Sequence, residues 1–315
     1  MKLLLRIFGV LLLACFVFAL AGIFATWAPD RSVQQLAEKW AKPPSQFLDV
    51  RGMKVHLRDE GPRDDPLPIV LLHGTSSSLH TWDGWVSSLA DQRRVIRFDL
   101  PAFGLTGPDP GNDYSIDAYV RFVGAVVDQL GVKSFVLAGN SLGGQVAWNA
   151  ALAMPQRVKK LVLIDSAGYA FQPISVPIGF AAARTPGLRV LMEYVLPRGV
   201  VDGSVRNVYG DPGRVTPELV DRYYELTLRA GNRKALAIRM DQPLSSEESM
   251  IKALKLPTLI MWGAKDRLIP LENAKRFESD IVGSQLVVFE NLGHVPQEEN
   301  AQNTAAAFKD FLKLP

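Results

Sequence analysis

Gly139-Asn140-Ser141-Leu142-Gly143 constrains this chain more than any other stretch. Ahead of it runs the apolar segment Ser134-Phe135-Val136-Leu137-Ala138. Behind it, Gly144 to Leu152 is rich in helix formers. A G-x-S-x-G pattern alone is weak. Placed between a buried strand and a helix, it specifies a sharp turn with the serine in a strained backbone conformation. Gly139 and Gly143 let strand and helix approach closely, and the Ser141 hydroxyl projects above the positive end of the helix. A bare serine is a poor nucleophile, so the reading also requires a base and an acid that orients it.

Both residue types occur downstream. Thr258-Leu259-Ile260-Met261-Trp262-Gly263 reads as a buried strand followed by Ala264-Lys265-Asp266. Gln285-Leu286-Val287-Val288-Phe289 reads as another, followed by Asn291-Leu292-Gly293-His294. Ser141, Asp266 and His294, each just past a strand and in that chain order, resemble the α/β-hydrolase superfamily. The resemblance runs from about Phe47 to the C-terminus. It implies a mostly parallel eight-stranded sheet flanked by helices, with an α-helical cap between strands 6 and 7. The core would be residues 46–168 and 257–315, and the cap residues 169–256.

Further segments fit this pattern. Phe47–Val50 and Met53–Asp59 flank Arg51-Gly52, a hairpin signal. Pro68 to Leu72 is a strand leading into His73-Gly74-Thr75-Ser76. In the family this loop supplies one oxyanion donor, so the resemblance assigns the Thr75 N–H, paired with the Leu142 N–H after the nucleophile. His73 is expected to shape the loop. Leu79 opens a helix to about Leu89, where His80 and Trp82 are expected to be structural. Val95 to Asp99 is a strand followed by a turn resembling D-x-x-G-x-G-x-S, with Ala102 and Thr106 as departures; Asp99 is expected to bond that turn. Ser115 to Leu130 is an amphipathic helix capped by Ser115 or Asp117 and stopped by Gly131. Leu161 to Asp165 is a further strand. Asp165 rivals Asp266 for the orienting acid, and Asp266 is preferred because Gly-x-x-Asp after the penultimate strand is the commoner family arrangement.

Strand–helix alternation stops between Tyr169 and Leu256. Helical pieces are expected at Ile178–Ala183, Leu188–Leu196 and Thr216–Arg229, the last with a threonine N-cap and proline at the first helical position. Candidates for lining a pocket are Met192, Tyr194, Tyr209, Tyr223, Tyr224 and Met240, with Arg239 to Asp241 as a weaker source of pocket charge. Ala301 to Leu314 closes the fold, and Gln297 to Asn300 before it are expected to cap and solvate.

The N-terminus is a separate unit. Ile7 to Ala28 holds 22 residues without a charge, roughly 33 Å as a helix, about one hydrocarbon core. Residues 1–28 read as an uncleaved membrane anchor or as a signal peptide cleaved near Ala19-Leu20-Ala21; a lipoprotein site at Cys15 is disfavoured by the apolar run after it. Lys2 and Arg6 predict a cytoplasmic N-terminus. The catalytic part is thus expected on the non-cytoplasmic side, periplasmic or extracellular, anchored or, after cleavage, secreted. Residues 29–45 read as a linker with a short amphipathic helix (Val33, Leu36, Ala37, Trp40) that packs on the domain.

Composition closes other routes. A net charge of +3 without a dense basic run gives no support to nucleic-acid binding. Cys15 is the single cysteine, so no intramolecular disulfide forms. The four histidines have no metal-ligand spacing, and neither metal nor cofactor is expected. The resemblance implies two-step acyl transfer on a small-molecule, ester-type substrate. Dehalogenases and epoxide hydrolases of this fold use aspartate where Ser141 stands. Carbon–carbon hydrolysis of ring-cleavage diketones is the alternative, with a membrane-associated lipase beside it; lactonase, haloperoxidase and aminopeptidase readings trail. A non-catalytic binding protein on the same fold would be expected to lack one of the three residues, and all three are present.

Overall fold

The computed structural model describes residues 2–242 and 248–314; Met1, residues 243–247 of the expected cap and Pro315 lie outside the described residues. Its centre is one eight-stranded sheet: β1 (Gln46–Val50), β2 (Met53–Glu60), β3 (Ile69–Leu72), β4 (Val95–Phe98), β5 (Phe135–Asn140), β6 (Val158–Ile164), β7 (Thr258–Gly263) and β8 (Gln285–Phe289). The order is β1-β2-β4-β3-β5-β6-β7-β8. β2 runs antiparallel to both its neighbours, and every other pairing is parallel. Every expected strand is present. β6 starts three residues earlier than its apolar run, because Lys159 and Lys160 interrupt the hydrophobic pattern; the Lys160 ammonium lies over the Phe311 ring and donates to the Phe311 carbonyl.

Thirteen helices accompany the sheet among the described residues: α1 (Lys2–Ala25), α2 (Val33–Trp40), α3 (Asp83–Leu89), α4 (Ile116–Gln129), α5 (Leu142–Ala153), α6 (Ile178–Arg184), α7 (Pro186–Met192), α8 (Arg198–Val208), α9 (Pro217–Thr227), α10 (Asn232–Asp241), α11 (Glu272–Asp280), α12 (Pro296–Glu299) and α13 (Ala301–Leu312). Alternate strand residues point to opposite faces. Ile69 and Leu71 join Trp85 of α3 and Phe308 of α13 in one core. Val70 and Leu72 join Phe122 of α4 and Trp148 of α5 in the other. Both faces are covered, as a parallel sheet requires.

The cap, α6 to α10, has its own core of Leu196, Val201, Val205, Tyr209, Val215, Val220 and Leu228. Thr216 caps α9 as expected, its side chain accepting from the Leu219 N–H. Two expectations need correction. The helix expected over Leu188–Leu196 ends at Met192, because Val195 forms an antiparallel bridge with Trp27. Helices α8 and α10 were not expected: α8 carries Gly199 and Gly203, and α10 buries Asn232, Arg233 and Arg239 alongside Ala235, Leu236 and Ala237.

Helix α1 carries a 20-residue span, Arg6–Ala25, long and apolar enough to cross a membrane, and none of it is buried. Its exit is fastened to the cap. The Ala28 N–H donates to Tyr194 O (2.9 Å), the Leu196 N–H to Thr26 O (3.0 Å), and Trp27 stacks on Tyr194. Helix α2 starts with a capping box between Ser32 and Gln35. It packs on the domain, Leu36 against Leu105 and Leu226, with the Trp40 indole donating to Glu225.

Candidate active site

Ser141 stands between β5 and α5 at φ +56° and ψ −117°. This is left-handed backbone that a residue with a Cβ occupies only when its surroundings enforce it. Here β6 does so: the Ser141 N–H donates to Ile164 O (3.0 Å), and Ser141 O accepts from the Ala167 N–H (3.1 Å). The two flanking glycines have separate reasons. A Cβ on Gly139 would collide with the backbone of Gly143, and one on Gly143 would collide with the Leu72 and His73 carbonyls. The elbow therefore lies directly against the end of β3 and the loop that carries Thr75. Leu142 opens α5 with its side chain buried. Among the described residues neither the Thr75 nor the Leu142 N–H donates to a protein acceptor.

His294 and Asp266 meet at the ends of β8 and β7. His294 Nδ1 is 2.7 Å from Asp266 Oδ2. Asp266 Oδ1 accepts from the Leu268 (2.8 Å) and Ile269 (3.0 Å) N–H groups. Two N–H groups thus turn toward Oδ1 while Oδ2 faces the ring, the setting of a carboxylate that accepts from its histidine. Nδ1 of His294 is then the donor, and Nε2 is left free as a base. Ser141 and His294 line the same cavity.

The histidine loop is gripped by groups that sequence reasoning passed over. The Asn140 amide donates to Ile164 O (3.1 Å) and His294 O (2.9 Å), joining the elbow to that loop. The His294 N–H donates to Val208 O of α8 (2.8 Å). Glu299, from the stretch expected to cap and solvate, is buried and accepts from the N–H groups of Gly210 (2.9 Å), Asp211 (2.8 Å) and Gly293 (2.8 Å). One carboxylate thus ties the cap to the His294 loop. Glu298 pairs with Arg222 and accepts from the Tyr209 hydroxyl. Acidic residues after a histidine look like a solvated turn in one dimension, and nothing local reveals that the cap returns over them.

The remaining polar candidates are structural. His73 accepts from the Leu100 N–H through Nε2 (2.9 Å) and reaches Gly74 O through Nδ1 (2.7 Å), so it holds the loop as expected; burial pushes it below the usual histidine range. His80 contacts Ser78 and the Trp40 carbonyl, and burial lowers it to about 3. Asp99 accepts from Leu105 of its own turn, and also from Leu79 and His56. Burial alone would raise the Asp99 carboxyl; His56 beside it holds it well below the usual carboxylate range. Of the expected cap residues only Met192 and Tyr223 line the cavity. Tyr194 is exposed against Trp27, Tyr209 and Tyr224 pack in the cap, and Met240 packs on the main core. Arg239 is buried near Tyr119, and Asp241 pairs with Arg189, so neither charges the pocket.

The cavity has about 100 Å³ of room for the centres of water-sized molecules. Its floor is Gly74 to Ser77, Asn140, Ser141 and His294; Phe180, Met192, Leu196, Val201, Val205 and Leu236 supply much of the apolar wall. Among the described residues that line it there is no lysine, arginine, aspartate or glutamate. Below the floor, Asp165, Asp266 and His294 each place one polar atom within 4.8 Å of the others, a cluster that spacing along the chain does not disclose.

A model of the alpha/beta hydrolase fold matches residues 68–301. A 2-hydroxymuconate semialdehyde hydrolase of Pseudomonas sp. (strain CF600) is 31% identical over 83% of this chain and 91% of its own. Among solved structures, a thermophilic esterase from Thermogutta terrifontis has a TM-score of 0.71 at 26% identity, covering 85% of this chain and 98% of its own length. A membrane phospholipase A has a TM-score of 0.72 at 24% identity over 99% of this chain and 98% of its own, a likeness of fold that includes the N-terminal helix. The fold, the elbow at Ser141 and these similarities agree: the chain is a member of the α/β-hydrolase family, a hydrolase by descent.

Proposed function

We propose that the protein hydrolyses esters with a neutral, apolar acyl group, working at a membrane surface. Ser141 is the nucleophile, His294 the base and Asp266 the acid that orients it. His294 Nε2 takes the hydroxyl proton as Ser141 Oγ attacks the carbonyl carbon, and the Thr75 and Leu142 N–H groups hold the oxyanion. The proton passes to the leaving alcohol. Water, deprotonated by His294, then releases the acid from the acyl-enzyme.

The observation that carries the substrate class is the cavity wall: apolar, with no lysine or arginine among its described residues. Such a wall favours a neutral chain over a carboxylate, whose burial without a paired cation is costly. The membrane placement rests on α1. Its exit is bonded to the strand-like segment after α7, and Ile178, Leu188, Val190, Leu191 and Tyr194, on or beside α6 and α7, are exposed. With α1 in a bilayer, Lys2 and Arg6 favour a cytoplasmic N-terminus and a catalytic domain on the opposite side.

Carbon–carbon hydrolysis is the second reading, favoured by the activity in the name of the 31%-identical relative. The muconate in that name carries a carboxylate, and the described residues of this wall include no lysine or arginine to pair with it.

The test is hydrolysis of p-nitrophenyl esters from acetate to palmitate by the full chain in detergent, with Ser141→Ala and a ring-cleavage dienoate alongside. Expected are ester turnover favouring longer chains and a loss of about 10⁴-fold or more in the variant. Turnover of the dienoate with no ester hydrolysis would replace the first reading by the second.

A further inference from the structure

Asp165 was set aside as a rival to Asp266, yet the fold brings it to the same place. It follows β6, whose neighbour β7 leads to Asp266. One oxygen of Asp165 lies within 4.8 Å of an Asp266 oxygen and of a His294 ring nitrogen. Its backbone is left-handed, at φ +42°, held by an N–H bond to Met261 O (3.0 Å). Asp165 is fully buried. Its Oδ1 accepts one bond, from the Gly263 N–H (3.1 Å), and its Oδ2 has no partner. Asp266 next to it accepts three bonds, one of them from the base.

Two carboxyls this close, both out of water, do not carry two charges. The bonds decide which one is charged. Asp266 has donors for both oxygens, whereas Asp165 has one donor and an orphan oxygen where a hydroxyl fits. We propose that Asp165 and Asp266 form a singly charged dyad: Asp266 holds the charge against His294, and Asp165 is a protonated reserve acid that takes the charge over when the carboxylate of Asp266 is lost. In the wild type Asp165 therefore stands by, uncharged, and it becomes a positioning residue for His294 only when the Asp266 carboxylate is gone. The charged and titratable groups facing it are Asp266, His294 and Glu299. Burial, and after it the Asp266 charge, push the Asp165 carboxyl well above the usual carboxylate range, in agreement with that state.

This inference rests on the serine-hydrolase reading, and Ser141→Ala separates the two. If ester turnover survives Ser141→Ala, the serine reading itself fails. With that control passed, three variants of the full chain are compared: Asp165→Asn, Asp266→Asn and the double variant. Asparagine has the shape and the zero charge of a protonated aspartate. Asp165→Asn is therefore expected to leave kcat/KM within about threefold, with the acidic limb of its pH profile unmoved. Loss of the orienting aspartate in a Ser-His-Asp enzyme reduces turnover about 10⁴-fold. Asp266→Asn is expected to fall only about 10²-fold, because Asp165 ionises in its place, and the double variant to show the full loss.

Difference infrared spectroscopy reads the dyad without turnover. A protonated-carboxyl C=O band present in the wild type is expected to vanish in Asp165→Asn. Thermal melts confirm that each variant folds, and a variant that fails to fold leaves the infrared difference on Asp165→Asn to decide. The proposal is overturned if Asp165→Asn moves the acidic limb to lower pH by about one unit, the signature of a lost negative charge beside the base. It is also overturned if the wild type lacks the band, or if Asp266→Asn alone is as inactive as the double variant.

Discussion

The floor and the roof of the cavity are built by different physics. The floor consists of loops at the carboxyl ends of β3, β5, β7 and β8. Backbone hydrogen bonds and glycine contacts hold it, from the Ser141 link to Ile164 to the close passage of Gly143 over Leu72 and His73. Such contacts have one solution. The roof is packed side chains, Phe180, Met192, Val201 and Val205 on helices and Leu196 between two of them, with exposed apolar neighbours. Packing of that kind tolerates exchange as long as volume is kept. Position is thus enforced around Ser141 and His294, and only polarity and volume are enforced in the wall above them.

That contrast breaks most directly at Gly143. Gly143→Ala is expected to destabilise the fold by about 4 kcal/mol or more, since backbone must move to admit the methyl group. Urea unfolding would measure it, and an effect below about 1 kcal/mol would mean that the floor yields like the roof. Glu299 joins the two regions. Glu299→Gln turns an amide N–H toward backbone N–H donors and is expected to cost about 2–3 kcal/mol, with kcat falling as the His294 loop loosens. Unchanged kcat in a folded variant would show that the cap does not position the base.

Acid sharpens the same comparison, because Asp99 is buried beneath the floor and bonded there to Leu79, Leu105 and His56. Its folded-state pKa is depressed, so its stabilisation is present above the ordinary carboxylate pKa and is lost as pH falls through the folded value. The stability gap between wild type and Asp99→Asn should therefore narrow as the pH drops below about 4. A gap that stayed constant would mean that Asp99 is not charged in the fold. The smallest effect is expected in the roof. Met192→Ala should raise KM for a long-chain ester by about tenfold and leave kcat for acetate esters within about twofold. A loss of kcat on the short ester would give Met192 a role beyond the wall.

The same division explains what a reader of the chain can see. Ser141, Asp266 and His294 are legible because each follows an apolar strand, and the glycines around Ser141 answer to steric demands only a few residues away. The eight strands are legible for the same reason, apart from the start of β6, where two lysines mask it. Asn140 sat within the motif, but its bond to the His294 carbonyl spans 154 positions. Glu299 looked like surface until the cap folded back over it. Helix α8 has its valines, Val201, Val205 and Val208, interrupted by Gly199 and Gly203, and α10 mixes buried Asn232, Arg233 and Arg239 with Ala235 and Leu236, so neither stands out in one dimension.

By itself, then, the sequence determined the family, the strand order of motifs, the elbow and an N-terminal helix of membrane length. These follow from periodicity and from sterics confined to a few neighbouring residues. The tertiary structure alone decided that the cavity wall is apolar and without lysine or arginine among its described residues, that Glu299 clamps the cap to the His294 loop, and that Asp165 stands beside Asp266. Each of these joins residues far apart in the chain, and only packing tells which distant groups share one low-dielectric site.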